Sequence, residues 1–522
     1  MSKYLLKRLL FGILSACAAT IIVMVMIFSL LDRQLVFAVD PSYTKQINNA
    51  KEVYKYRKWE EYGYLDYVTY SEYLNMLVKN GEMDEATREE ASVLPRKIGN
   101  AEGVVAEYIE KFKEYYSSQG YEIKEMDAIV TKRKIATGGS QQLFAHKDKP
   151  LITRVVSYFG NIFTIDNIHE VEEDIGERGL TFTWYDPAYG GEKFSPALMG
   201  NGTTHKYLIY FDDQFPYFHQ NLLTISLGES YSIRQGIDVF TTMTQSQGAY
   251  VKSEMTFPTG LTEESADDLH TATYAAGSLE LNPIAAERFT DDYTNVLTVN
   301  KNMSKMSFSF IMGIISSALA YLLGIPLGIL MARKKDKLAD KLGTIYIVFS
   351  LAVPSLAYIF MVKAIGNKLG VPTTFDLEKN SWTMFVLPII SLTLPSLGNL
   401  MKWMRRYMID QMNSDYVKFA RSGGLSEAEI FSKHILKNAA IPLVHGIPST
   451  VLGALVGAII TERVYVVPGT GNLLTKAINA YDNNVIVGLT LFYALLSVVS
   501  IILGDLLITL VDPRISFVEK AR

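Results

Sequence analysis

The sequence predicts a polytopic α-helical membrane protein with six transmembrane helices and an α+β domain inserted between the first two. Three observations predict it. Six apolar runs, each near or above the roughly 20 residues that a helix needs to cross a bilayer, lie at 9–31, 306–331, 342–365, 384–401, 443–461 and 485–511. Lys and Arg crowd into alternate short connections between those runs. One long segment, 32–305, carries ordinary globular patterning instead.

Composition agrees. Of 522 residues, 49% are hydrophobic and 20% charged, against about 25% charged in an average soluble chain. Disorder, collagen and low-complexity fibre are excluded, and no internal repeat is visible. A single cysteine excludes an internal disulfide framework and a multi-cysteine metal site.

The first span, residues 1–31 with its flank, follows Lys3, Lys7 and Arg8. Leu14-Ser15-Ala16-Cys17 resembles a lipoprotein processing box. The apolar stretch before it is shorter than the 7–15 residues of a signal-peptide core, and the run continues to Leu31. Cys17 is therefore expected in the middle of a retained signal-anchor helix.

Residues 32–305 hold 27 Lys and Arg against 41 Asp and Glu, a net charge of −14. The segment is long enough to bury its own core, and its acidity reads as a solvated exterior. "LVFAV" (35–39) and "KYLIYFDD" (206–213) look strand-like, and 82–116 reads as charged amphipathic helix.

Orientation follows from the short flanks. Eighteen Lys and Arg lie in the N-terminus, the loops after the second and fourth spans, and the tail; four lie in the opposite loops. Both termini are thus expected in the cytoplasm, with 32–305 outside. Within the spans, Pro326, Pro354, Pro388 and Pro395 predict kinks or unwound turns that could line a passage. Asp505 is the clearest intramembrane ionisable group, a functional candidate by default, though interhelical packing is the favoured reading. Lys363 and Glu462 lie near outer ends, where they can snorkel.

The five-span core, 306–522, contains the most informative stretch, a loop at 402–442. Asp415–Ser422 can form a short helix that Gly423-Gly424 closes. Ser426 and Glu429 form an S-x-x-E capping box that starts a second helix. Along that helix Ala428, Phe431 and Ile435 share one face and Glu429, Lys433 and Lys437 another, while Pro442 marks where the next span begins. The apolar stripe is available to a partner. Physically, a helix lying on the membrane surface fits as well.

This loop resembles the coupling (EAA) loop of binding-protein-dependent ABC importer permeases, most closely the oligopeptide/dipeptide class. Lys418-Phe419-Ala420 stand where that family has Glu-Ala-Ala; Ala420 and Gly424 match, the first two do not. The 18-residue step from Gly424 to Pro442 is similar to that of the peptide class. "YLLKRLL", "GIPLGILMA" (324–332), "ERVYVVPGTGNLLTKAI" (462–478) and "GDLLITLVDPRI" (504–515) resemble other signatures of the class in the right order. The resemblance covers 1–31 and about 300–522. The class usually has a much shorter first external loop, of which "SYFGNIF" (157–163) and "LGESYSIRQGIDVF" (227–240) look like pieces. Some Gram-positive oligopeptide permeases resemble this expanded arrangement.

The resemblance implies a type I ABC importer permease that carries oligopeptides and is not itself an enzyme. It implies a second, homologous permease, two ATPase subunits holding ATP and Mg, and a lipid-anchored peptide-binding protein outside. Ala420, Gly424, Leu425, Ser426, Glu429, Phe431, Ile435 and Pro442 are the expected ATPase-coupling residues; Asp505, Pro354 and Pro395 are the candidates for the passage. The outer domain is expected first to dock the binding protein; binding peptide itself and bracing the partner permease are the other roles weighed. The chain has no G-x-x-x-x-G-K-[ST] loop, since "PGTGNLLTK" (468–476) has the wrong spacing. No H-E-x-x-H, nucleophile elbow or metal-ligand cluster appears, and nothing suggests nucleic-acid binding; His434 reads as a helix-face residue. Two rivals remain. A mechanotransmission ABC subunit would have four spans and no such loop, and a receptor would need a cytoplasmic signalling module, for which the tail after Val511 is too short.

Overall fold

The computed structural model describes residues 2–128, 142–212, 217–379 and 381–511, without the side chains of Ser2, Lys3 and Gly457. The Asp512-Pro513-Arg514 signature and the tail cations lie outside the described residues.

Helix α1 (Ser2–Leu30) is unbroken, with Cys17 in its middle. The remaining membrane helices are α2 (Lys305–Arg333), α3 (Leu338–Ala352), α4 (Ser355–Lys368), α5 (Val386–Met412), α6 (Ile447–Tyr465) and α7 (Asn483–Val511). Among the described residues, five helices are long and apolar enough to cross a membrane. A sixth span exists if α3 and α4 count as one, since they meet at a 110° bend.

That bend is at Pro354, which caps α4 and whose missing N–H ends α3. The other prolines do not break the chain. Pro388 sits in the first turn of α5, where no intrahelical N–H is required. Pro326 and Pro395 lie inside continuous helices. The fifth span begins at Ile447, not at Pro442, which lies inside the preceding Lys437–His445 helix.

The packing of α2 on α5 explains "GIPLG". A Cβ on Gly324 would stand 2.9 Å from that of Leu400, and one on Gly328 2.7 Å from that of Met404. This small-xxx-small spacing lets the two backbones approach. Where α3 begins, Arg405 Nε and Nη2 on α5 donate to both Asp340 oxygens at 2.5 and 2.8 Å, which ties the two helices together. Helix α1 lies along α7, with Gly12 against Val498.

Between α1 and α2 the chain forms helices and antiparallel strands. A three-stranded sheet orders Leu65–Thr69, Leu143–Asp148 and Glu122–Glu125, with Leu143–Asp148 central. Tyr70, Leu74, Phe112 and Leu143 bury against one another on it. Further on, Gly179–Tyr185, Phe194–Asn201, Tyr207–Phe211 and Phe218–Gln220 form a four-stranded meander. "KYLIYFDD" contains a strand as expected, but "LVFAV" does not. Asp32 accepts from Gln34 N at 2.8 Å and starts a 3₁₀ turn, Arg33–Phe37, which buries Val36 and Phe37. The 82–116 stretch is two helices, Glu85–Ser92 and Gly103–Ser118, because Pro95 separates them.

A buried pair gives this segment a pH dependence. His270 is buried, which by itself favours the neutral imidazole. Its Nε2 lies 2.7 Å from Asp186 Oδ2 and its Nδ1 3.5 Å from Asp268, and these contacts win, raising its pKa to about 9. The folded value exceeds the unfolded value of about 6.5, so the stabilisation is complete below that pH and lost as pH rises through 9. We expect thermal unfolding of this segment to fall in temperature between pH 6.5 and 9.5 in the wild type. A His270→Gln protein that kept the same slope would refute the assignment.

Candidate functional site

The loop after α5 builds a closed, exposed tip. The Asp415–Ser422 helix ends in a Schellman motif: Leu425 N donates to Ala420 O at 3.3 Å and Gly424 N to Arg421 O at 3.1 Å. Gly424 takes φ +81°, which glycine adopts freely. The capping box forms as expected. Ser426 Oγ accepts from Glu429 N at 3.3 Å, and Glu429 Oε2 accepts from Ser426 N at 3.3 Å. Arg421 spans the turn with two bonds to Glu427, at 2.6 and 3.1 Å.

The apolar stripe lies elsewhere than the sequence suggests. Residues Ile430–Leu436 are π-helical, so residues five apart share a face. Ile430 and Ile435 turn inward onto Val417, Met404 and Met408, with Phe431 half-buried beside them. Phe431 and Ile435 thus belong to the loop's own core. The surface left open carries Phe419, 83% exposed, with Leu425 and Ala428.

Behind the tip, a cavity of about 590 Å³ opens between α2, α5, the Lys437–His445 helix and α6. Pro395 and Pro442 line it; Pro354 does not. Its polar lining is neutral: Tyr321, Ser396, Asn399, Trp403, Tyr407, Ser449 and Thr450, with no charged side chain. Tyr321 Oη donates to Leu443 O at 3.0 Å across the cavity's end, and Trp403 stacks on Tyr407 at 5.5 Å. Met404 and Met408 lie on the same helix, one residue from Trp403 and Tyr407, and carry the loop's packing.

Asp505 lies apart from this cavity. It is buried on α7 and ion-paired with Arg8 on α1, with Tyr4 Oη 3.5 Å away. Its place is the α1–α7 contact. Lys363 reaches the α6 end, donating to Val464 O at 2.6 Å.

Glu462 does not snorkel. It is fully buried and organises the Val467–Leu473 turn, accepting from Ser309 Oγ at 2.6 Å and Asn472 N at 2.8 Å. A Cβ on Gly469 would overlap its carboxylate, although Gly469 has ordinary extended φ. Gly469→Ala should therefore cost about 1–3 kcal/mol by overpacking. A lower melting temperature of the detergent-solubilised protein checks this; an unchanged one would show that the turn can move aside.

One anchoring residue escapes the sequence reading. Asp482, buried just before α7, accepts from the backbone N–H groups of Tyr231, Ser232 and Ile233 at 3.0, 3.0 and 3.2 Å, and from Ser230 Oγ at 2.7 Å. Asn484 Nδ2 adds a bond to Glu229 O at 2.9 Å. The only sequence signal is the polar run Asp482-Asn483-Asn484 ahead of an apolar span. Around this clasp, Ile162, Leu227 and Val239 of the long segment bury against Leu473, Val485 and Leu489 of the core.

The family of binding-protein-dependent transport system inner membrane components matches residues 324–517. The oligopeptide transport system permease protein AmiC of Streptococcus pneumoniae is 34% identical over 527 aligned residues, covering 100% of this chain and 99% of AmiC. The dipeptide transport system permease protein DppB of Lactococcus lactis is 31% identical over 43% of this chain and 73% of its own length. In three dimensions the inward-facing MetNI methionine ABC transporter matches at a TM-score of 0.32 and 15% identity, over 40% of this chain and 94% of that one. So low a score adds nothing to the sequence relationship.

Proposed function

Because the chain belongs to the binding-protein-dependent transport system inner membrane components, in their oligopeptide and dipeptide permease class, we propose that it is one of two permeases of an ATP-driven oligopeptide importer. It is a multi-pass membrane transport subunit. In this reading α3 and α4 form one bent span of six, both termini and the loop after α5 lie in the cytoplasm, and the α1–α2 segment lies outside as an inserted α+β domain; the Lys and Arg of the short flanks support it. Two separate ATPases, carrying ATP and Mg, dock on this loop and its counterpart in the second permease. A lipid-anchored peptide-binding protein delivers substrate to the outer domain.

The observation that carries this reading is the mechanical continuity from exposed tip to cavity. Phe419, Leu425 and Ala428 are free to seat in an ATPase, while Ile430 and Ile435 grip Met404 and Met408. Those methionines share α5 with Asn399, Trp403 and Tyr407 on the cavity wall. A tip displaced by ATPase closure therefore drags the wall with it, because a packed core passes displacement on as a rigid body. A neutral lining suits peptides of any side-chain charge, held through backbone amides.

The test is co-purification of the solubilised wild-type complex, followed by ATP turnover with and without binding protein and peptide. We expect two ATPases and a second permease, with peptide-stimulated turnover. A chain that brings down no ATPase would overturn the reading and favour a receptor.

A further inference from the structure

The helix Leu151–Gly160 has an outward face that does not suit water. Its inner side, Leu151, Val155, Tyr158 and Phe159, packs on Met24 and Ile27 of α1 and Ile486 and Val487 of α7. Arg154 clamps it, with the guanidinium 3.7 Å from the Phe28 ring centroid and 4.0 Å from that of Tyr64. The other side presents Ile152, 71% exposed, Val156, 64% exposed, Thr153 and Ser157, and no charge. A solvated helix normally turns charged residues outward. After two residues, the strand Phe163–Ile165 exposes Phe163 and Ile165 at 60% and 67%.

Position identifies what covers this face. Met24 is six residues before the end of α1, about 9 Å along the axis at 1.5 Å per residue. Val487 is likewise inside the end of α7. The helix therefore packs below the ends of two membrane spans. The outer surface of α1 in the same stretch, with Ile22, Val25, Met26 and Leu30 exposed, is apolar too. We propose that Leu151–Gly160 is an interfacial helix whose Ile152–Val156 face sits in the acyl–headgroup boundary of the bilayer. With the Asp482 clasp it fixes the height and tilt of the large domain over the permease.

Site-directed fluorescence tests this in the assembled complex. Ile152→Cys, Val156→Cys and, as a solvent reference, Glu264→Cys are each made with Cys17→Ser and labelled with a polarity-sensitive dye. The complexes are reconstituted in phosphatidylcholine–phosphatidylglycerol vesicles with or without lipid spin-labelled high on the acyl chain. We expect blue-shifted emission and at least twofold lipid quenching at 152 and 156, and neither at 264. Quenching at 152 and 156 by aqueous iodide alone would overturn the proposal in favour of a solvated face. Blue-shifted emission quenched by neither agent would overturn it in favour of cover by another subunit.

Discussion

Gly424→Val is expected to uncouple the complex while leaving the chain folded in the membrane. Position 424 needs φ +81° to close the Schellman motif, and a β-branched residue there costs about 1–3 kcal/mol. The space around it is open, with nothing within 4 Å of where a Cβ would stand, so the penalty is purely conformational. Relieving it moves Leu425, Ser426 and the clasp between Arg421 and Glu427, which together shape the exposed tip. We expect at least a tenfold fall in ATPase retained on the purified permease and in peptide-stimulated turnover. Gly424→Asn is the control: asparagine tolerates the left-handed region, and this variant should keep most of both. Equal ATPase retention by the wild type and the Val variant would sink the assignment of this tip as the docking surface.

Asp482→Ala should produce the largest loss of stability. The carboxylate is fully buried and satisfies three backbone N–H groups and the Ser230 hydroxyl. Each buried donor left without an acceptor costs about 1–3 kcal/mol, so the buried Tyr231 N–H and Ser230 hydroxyl alone amount to about 2–6 kcal/mol, with the part-buried Ser232 and Ile233 N–H groups adding to it. The Gly228–Arg234 loop would leave the end of α7. We expect rapid proteolysis of the α1–α2 segment in intact membranes and a lower melting temperature, with Asp482→Asn intermediate because one amide oxygen remains as acceptor. If the Ala variant resists protease as the wild type does, the clasp is not what holds the segment down.

Much of the core is legible in the sequence because its signals are local. Apolar runs long enough to span a bilayer locate the membrane helices, closely at 306–331 against Lys305–Arg333 but eleven residues short at the end of 384–401 against Val386–Met412, and without showing that 342–365 breaks into two helices. The loop is legible almost residue by residue: helix Asp415–Ser422, a left-handed Gly424 and the Ser426–Glu429 box all depend on neighbours in sequence. The π-helical turn is not legible. Within it Ile430 and Ile435 pack inward on Val417 and Met408 instead of facing a partner, while Glu429 and Lys433 stay outward as the spacing suggests. Pro442 misleads for a related reason, since a proline within a helix costs one hydrogen bond that packing at the cavity can offset.

By itself the sequence determined that this is a multi-span membrane protein, which family it belongs to, and where its exposed loop turns. Bilayer thickness, turn chemistry and capping act over a few residues and leave their mark in order along the chain. Tertiary structure alone decided where the charges go: Arg8 to Asp505, Arg405 to Asp340, Glu462 into a buried turn and Asp482 into the long segment. Ser230 and Asp482 are 252 residues apart. A buried carboxylate must find donors wherever folding brings them, and no spacing in the sequence records that distance.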